Sequence, residues 1–455
     1  MPDEIRSTRA ELEPELRIVQ IELKTPLRRL AARAKSKSAF RFAAANGEEM
    51  TGLHRVLNDH AVSAVHASFR MRHPGQRRRR SQTERDHLSR FIDLHFARDA
   101  DIDTIVRNLR ALPEMEQAVE VRTVVLSAFP ADPLIGTSDR LAFEPVTNRQ
   151  FQWYVFRCGV DRAWARVSGS GVVIADVDGG FFLDHEDLAP NIELEHVFNA
   201  VDGSKDVTAG QQDHGTAVLG LAAAASNTLG IAGVAFSAKL WPIQYDAANG
   251  APLPGLPLVN AIDWVTGEDS GGRRVVINIE AQFAGTLSNC EQIPAVNAAI
   301  RLAIAKGFVV CVAAGNGDRD AGLADDGTAI TASGSILVGA TDFDPVVNPR
   351  ATSGGQASNW GPRVVVSAPG DASHDVTCGD LSNTDYRNDF GGTSGAAAKV
   401  AGALALMLEA NPLLTHEEAK SVLVGTGSPL NTDKPIGVFL NADAAVAAAF
   451  QLRAM

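Results

Sequence analysis

Residues 171–180 read GVVIADVDGG. The run is apolar without alternation and ends in an acid followed by two glycines. A strand that is apolar on both faces belongs inside a sheet covered on both sides. Five more runs share the pattern: AKLWPIQYD (238–246), RRVVINIEAQF (273–283), GFVVCVAAGN (307–316), SILVGATDF (335–343) and PRVVVSAPG (362–370). Helical stretches lie between and after them: HGTAVLGLAAAASN (214–227), PAVNAAIRLAIAK (294–306) and TSGAAAKVAGALALMLEAN (393–411). Short Val/Ile strands alternating with helices predict an α/β fold, doubly wound, with a mostly parallel sheet and helices on both faces. We assign it residues 150–455.

In such sheets reactive groups gather beyond the carboxyl ends of the strands and at the helix starts facing them. Three segments put reactive residues there. Asp178 ends its strand, and Gly179 and Gly180 let the chain turn away beneath the carboxylate. His214 opens a helix of small residues. Ser394, within GGTSG at 391–395, opens another, where free backbone N–H groups and the helix dipole can stabilise an oxyanion. Taken singly, each has a plain structural reading: a turn acid, a structural histidine, an N-cap serine.

Together, DVDGGFFLDHEDL, HGTAVLG and GTSGAAAKVAG resemble the Asp, His and Ser motifs of subtilisin-like serine peptidases, in that family's order Asp, His, Ser. A fourth match, Ala313-Ala314-Gly315-Asn316, resembles the family's oxyanion-hole motif. Shorter matches run through 227–235 (NTLGIAGVA), 338–340, 358–361 (SNWG), 367–370 (SAPG) and 411–423 (NPLLTHEEAKSVL). The resemblance implies a serine endopeptidase acting on protein or peptide substrates. Ser394 would be nucleophile, His214 general base, Asp178 its orienting partner and Asn316 an oxyanion donor. It needs no cofactor. Asp187 and Asn227 stand where many members hold a structural calcium, whose preference for oxygen ligands they suit. A catalytically silent, partner-binding homologue and a peptide ligase or cyclase using the same triad are the alternatives.

Two departures bear on function. TSGAAAKVAG carries Gly395, Ala398 and Lys399 where the family has Met, Pro and His. The strand that should pair with the bound peptide and line the pocket for the residue before the cut reads Glu280-Ala281-Gln282 in place of Ser-Leu-Gly. Gln282 should narrow that pocket. Glu280 should favour a basic substrate residue, or else point to solvent.

The front of the chain is different. Residues 1–85 read as an extension of mixed helix and loop, 86–128 as a small α/β module, and 129–149 as a linker. In the module, HLSRFIDLHFA alternates like a strand, DADIDTIVRNLRALPEME is an amphipathic helix and AVEVRTVVLSAF a strand. Its ending resembles a subtilisin-type propeptide, which implies a zymogen whose own N-terminal segment is chaperone and inhibitor, self-cleaved between about 125 and 150. The first 100 residues hold 20 Lys+Arg against 13 Asp+Glu, whereas the whole chain is −12, so a basic front precedes an acidic body. Basic residues cluster at Arg28, Arg29, Arg33, Lys35 and Lys37, and Arg77 to Arg80 stand in a row. Without aromatic or motif context these read as solvated loop, and no nucleic-acid partner is expected. No membrane-spanning run and no secretory signal is seen. That leaves the cytoplasm, a non-classical export route or a signal missing from the sequence. Four scattered cysteines exclude a disulfide scaffold; Cys311 reads as a core thiol, and a Cys290–Cys378 bridge stays open.

Overall fold

The computed structural model describes residues 17–24, 50–60, 62, 64–67, 90–96, 100–121, 129–136, 143–144, 149–246, 256–283, 285–343, 350–351, 357–371 and 375–454. The basic clusters at 28–37 and 77–80 lie outside these residues. The chain divides into two compact units, meeting at 124/125.

The smaller unit holds β1 (Arg17–Leu23), α1 (Thr51–Asp59), β2 (Ala64–Ala67), β3 (Phe91–Phe96), α2 (Ile102–Arg110) and β4 (Met115–Val121). Its sheet runs β2-β3-β1-β4 and is antiparallel throughout. Alternate residues Val19, Ile21 and Leu23 of β1 and Ile92, Leu94 and Phe96 of β3 enter one core with Leu53, Ile105 and Leu109 from the helices. Asp101 caps α2 by accepting the Thr104 N–H at 3.1 Å. The expectation of an extension of mixed helix and loop over 1–85 needs correction here. Residues 17–23 form the strand lying between β3 and β4, so the sheet of the 86–128 module is completed by the extension. The chain that sequence reading split at 85 is one unit because β1 buries its apolar face only between two later strands.

The larger unit is built on nine strands: β5 (Val172–Asp178), β6 (Phe198–Asn199), β7 (Lys239–Gln244), β8 (Arg274–Ile279), β9 (Val309–Ala313), β10 (Ile336–Thr341), β11 (Val364–Pro369), β12 (Ser428–Pro429) and β13 (Val438–Phe439). Their order is β12-β13-β11-β10-β9-β8-β5-β7-β6. All pairs are parallel except β12–β13. The longer helices are α3 (Gln212–Ala223), α4 (Leu256–Gly267), α5 (Pro294–Ala305), α6 (Gly392–Ala410), α7 (His416–Thr426) and α8 (Ala442–Ala454). Sequence patterning predicted the six long strands and α3, α5 and α6; it left out α4, α7 and α8.

Each of the six long strands feeds two cores. Val172 and Ile174 of β5, Val276 of β8 and Cys311 of β9 pack with α3 and α6. Val173, Ala175 and Val177 of β5, with Ile277, Ile279, Val310 and Val312, pack with α4 and α5. That two-sided burial is why these strands read as unbroken apolar runs. Helix α6 is buried on nearly every side, so small residues let its backbone approach others closely. A Cβ on Gly402 would lie 2.6 Å from Val234 and 2.9 Å from the Ala222 carbonyl. All four cysteines are buried free thiols, so no Cys290–Cys378 bridge forms. Among the described residues no helix is long and apolar enough to cross a membrane.

Strand β5 sits between β7 and β8. The chain winds from it to one side and then crosses to the other. This is the topological switch point of the sheet, where a crevice opens beyond the strand ends.

Candidate active site

Asp178 ends β5 at that crevice and is 2% exposed. Its Oδ1 accepts the Gly179 N–H at 2.5 Å, and both carboxylate oxygens lie 2.8 Å from His214 Nδ1. His214 occupies the first turn of α3, with the edge of the Phe390 ring against its imidazole at 5.0 Å between centroids. Because a carboxylate only accepts, Nδ1 carries a hydrogen, and in the neutral imidazole Nε2 keeps its lone pair. That lone pair faces the Ser394 hydroxyl 3.2 Å away. Ser394 lies in the first turn of α6. The structure thus brings together the three residues from segments 36 and 180 positions apart.

Burial alone would lower the His214 imidazolium. The Asp178 carboxylate outweighs it by charge and hydrogen bond, Glu280 and Asp213 add to this, and the group is raised to about 9.

Asn316 follows β9. Its Oδ1 accepts the Thr393 N–H at 2.8 Å and the Thr393 hydroxyl at 3.1 Å, which fixes the amide and points its NH2 elsewhere. Gly392, at φ +68°, makes this approach possible, since a Cβ there would sit 2.8 Å from Asn316 Oδ1. Asn359 holds the loop around Asn316. It donates to the carbonyls of Ala314 (2.8 Å) and Leu287 (2.9 Å) and accepts the N–H groups of Gly317 (3.0 Å) and Arg319 (2.9 Å). The SNWG match contains Asn359 but gave no hint of this role.

The strand end at 280–282 departs from expectation. Glu280 is neither exposed nor aimed at solvent: it is 6% exposed, and its Oε1 accepts Asn278 Nδ2 at 2.9 Å. The same Nδ2 donates to Asp176 Oδ1 at 2.9 Å, because Asp176 and Asn278 are direct partners across β5 and β8. Burial first, and the Asp178 carboxylate second, push the Glu280 carboxyl up to about 8, against the opposing effects of His214, Asn278 and the Ser394 hydroxyl. Burial, Asp178 and Glu280 likewise hold the Asp176 carboxyl well above its ordinary range. The site is therefore backed by buried acids, a feature the sequence did not disclose. Ala281 is buried in the α4–α5 core, so only its backbone is available to a bound chain. Gln282 is exposed, and its Oε1 accepts two N–H groups of Asn316, from the backbone at 3.1 Å and from the side chain at 3.2 Å.

Asp187 and Asn227 adjoin each other, away from the hydrogen bonds that join Asp178, His214 and Ser394. Asp187 Oδ2 accepts the Ile231 N–H and the Tyr386 hydroxyl, both at 2.9 Å. Asn227 Oδ1 accepts the Leu229 N–H at 2.9 Å, and its NH2 donates to the Glu186 carbonyl at 3.0 Å. Of the side-chain oxygens of these two residues, Asp187 Oδ1 alone lacks a hydrogen-bond partner. One open side-chain oxygen is a poor start for an ion that takes six to eight, so these two residues do not fit the expected calcium.

Comparison with known proteins shows the family. Residues 169–441 match the Subtilase family. An extracellular protease of Xanthomonas campestris pv. campestris is 31% identical over 77% of this chain. The alkaline elastase YaB of a Bacillus species is 28% identical over 80% of this chain and 89% of its own length, and subtilisin E of Bacillus subtilis is 28% identical over 58% of this chain. The chain spans 62% of the length of both the Xanthomonas protease and subtilisin E. Among solved structures, a protease from Pseudoalteromonas arctica superposes with a TM-score of 0.54 at 27% identity, covering 71% of this chain and all of that one.

Proposed function

The chain belongs to the subtilase family, and from that premise we propose that it is a serine endopeptidase with Ser394, His214 and Asp178 as its triad. The observation that carries this reading is the continuous path from the Asp178 carboxylate through His214 (2.8 Å) to the Ser394 hydroxyl (3.2 Å). Ser394 Oγ bonds the scissile carbonyl carbon while its proton passes to His214 Nε2. Asp178 stabilises the imidazolium that forms. The carbonyl oxygen, now carrying the negative charge, is held by the Asn316 side-chain amide and the Ser394 N–H. The proton on His214 then leaves with the departing amine, and an acyl-enzyme remains. Water, deprotonated by His214, releases the acid and restores Ser394. The backbone at 280–282 pairs with the substrate chain, and Glu280, being buried, does not select a basic residue. The catalytic steps use no metal or cofactor.

We further propose that the smaller unit is the chain's own chaperone and inhibitor, removed by self-cleavage. Asp132 accepts the Ser226 hydroxyl and the N–H groups of Asn227 and Thr228 at 2.9–3.0 Å, while the Leu134 N–H donates to the Gly230 carbonyl and the Leu134 carbonyl accepts the Gln152 N–H. These bonds tie 132–134 into the larger unit, so we place the cleavage outside that short stretch, between about 125 and 150.

A silent, peptide-binding homologue is the second reading, favoured by the Gln282 carbonyl on the Asn316 amide. The test compares wild type with Ser394→Ala at pH 9, following intact mass and covalent capture of a fluorophosphonate. Labelling and self-cleavage in the wild type alone support the peptidase. An intact, unlabelled wild type refutes it.

A further inference from the structure

Asn316 has the donor that the reaction needs, but in the resting protein that donor is engaged. Both its side-chain N–H (3.2 Å) and its backbone N–H (3.1 Å) point at one atom, Gln282 Oε1. The orientation of the Gln282 amide is fixed by chemistry: turning it over would set an NH2 group against two N–H donors. Asn316 cannot turn away either, because Thr393 holds its Oδ1 from two sides. Gln282, in contrast, is free to move its side chain. It is exposed, while its backbone is held by a bridge to Asn289 and by the bond from Phe283 N–H to the Ser288 carbonyl at 3.0 Å. A rigid donor thus meets a mobile acceptor on a fixed stem.

We propose that Gln282 caps the oxyanion amide: its side-chain carbonyl takes a side-chain N–H of Asn316 that the reacting carbonyl needs, with the Asn316 backbone N–H as its second anchor, so substrate enters by exchanging one carbonyl for another. The inference rests on the peptidase reading above and adds a residue that sets its rate. The cap is a neutral amide making two ordinary hydrogen bonds, each contributing modestly against water. It therefore slows acylation without blocking it. It also keeps the Asn316 amide paired while no substrate is present. The exchange is favourable once charge develops on the substrate oxygen, because an N–H bonds an anionic oxygen about twice as strongly as a neutral one.

The experiment measures the second-order rate of fluorophosphonate labelling, together with kcat and KM on a peptide substrate, for wild type, Gln282→Ala and Gln282→Glu. Each is also made in the Asn316→Ala background. Removing the cap should raise the labelling rate about three- to tenfold. Gln282→Glu places a charged acceptor on the same two N–H groups and should slow labelling about tenfold. Both effects should vanish when Asn316 is Ala, a coupling that a merely structural role for Gln282 would not produce. The cap is overturned if wild type labels and Gln282→Ala labels no faster, or if the gain persists without the Asn316 amide. If neither wild type nor Gln282→Ala takes label, the peptidase reading fails and the cap with it.

Discussion

Replacing Glu280 by Gln should make the protein more stable, and increasingly so as the pH rises from 5 to 8. Gln has nearly the shape of a protonated glutamic acid and cannot ionise. In the fold, burial and the Asp178 carboxylate raise the Glu280 carboxyl from 4.5 to about 8; in the unfolded chain it ionises near its ordinary value. Between these limits the folded state binds more protons than the unfolded one, so stability falls with rising pH. The window from 4.5 to about 8, at about 1.4 kcal/mol per pH unit, bounds the cost at roughly 5 kcal/mol by pH 8. Relaxation and water entry around the charge reduce this to roughly 2–4 kcal/mol. Below about pH 5 both proteins should be equally stable. The assay is equilibrium denaturation in the Ser394→Ala background, which prevents self-digestion. Losing that hydroxyl removes one influence that lowers the Glu280 carboxyl, so the sign of the effect is kept. All five tryptophans (153, 164, 241, 264 and 360) lie in the larger unit, so their fluorescence reports its unfolding alone. A stability difference that does not change with pH, or a Gln variant less stable at pH 8, would refute the buried-acid account.

With His214 raised to about 9, kcat/KM on a peptide substrate should climb with pH and reach half its maximum near 9, since only neutral imidazole accepts the serine proton; a plateau from pH 7 upward would contradict this. Lys399 is fully buried in α6, its ammonium 2.7 Å from Asp375 and 2.9 Å from the Pro369 carbonyl, so Lys399→Met strips a buried carboxylate of its cation and should destabilise the larger unit by about 3–5 kcal/mol. Thermal unfolding would show it, and an unchanged midpoint would mean the pair contributes nothing.

The two-sided strands and small-residue helices were legible in the sequence because burial on both faces leaves a local composition: unbroken Val and Ile, then Ala and Gly. The residues proposed as the triad, and Asn316, could be picked out too, since each sits in a short motif at a strand or helix end. Helices α4 and α8 were not, because their chain segments lack clear boundaries. Helix α7 was missed although Thr415 and Glu418 form a capping box that its sequence announces. Strand β1 could not be read at all, as only pairing with β3 and β4 makes it a strand. The same division holds at the site. Local sequence determines which reactive groups exist and on which element ends they sit. Tertiary packing alone decides their surroundings: Lys399 against Asp375, Glu280 sealed beside Asp178, and Gln282 across from Asn316. Charge and hydrogen-bond partners act through space over a few ångströms, and those neighbours come from strands and loops tens to hundreds of residues apart.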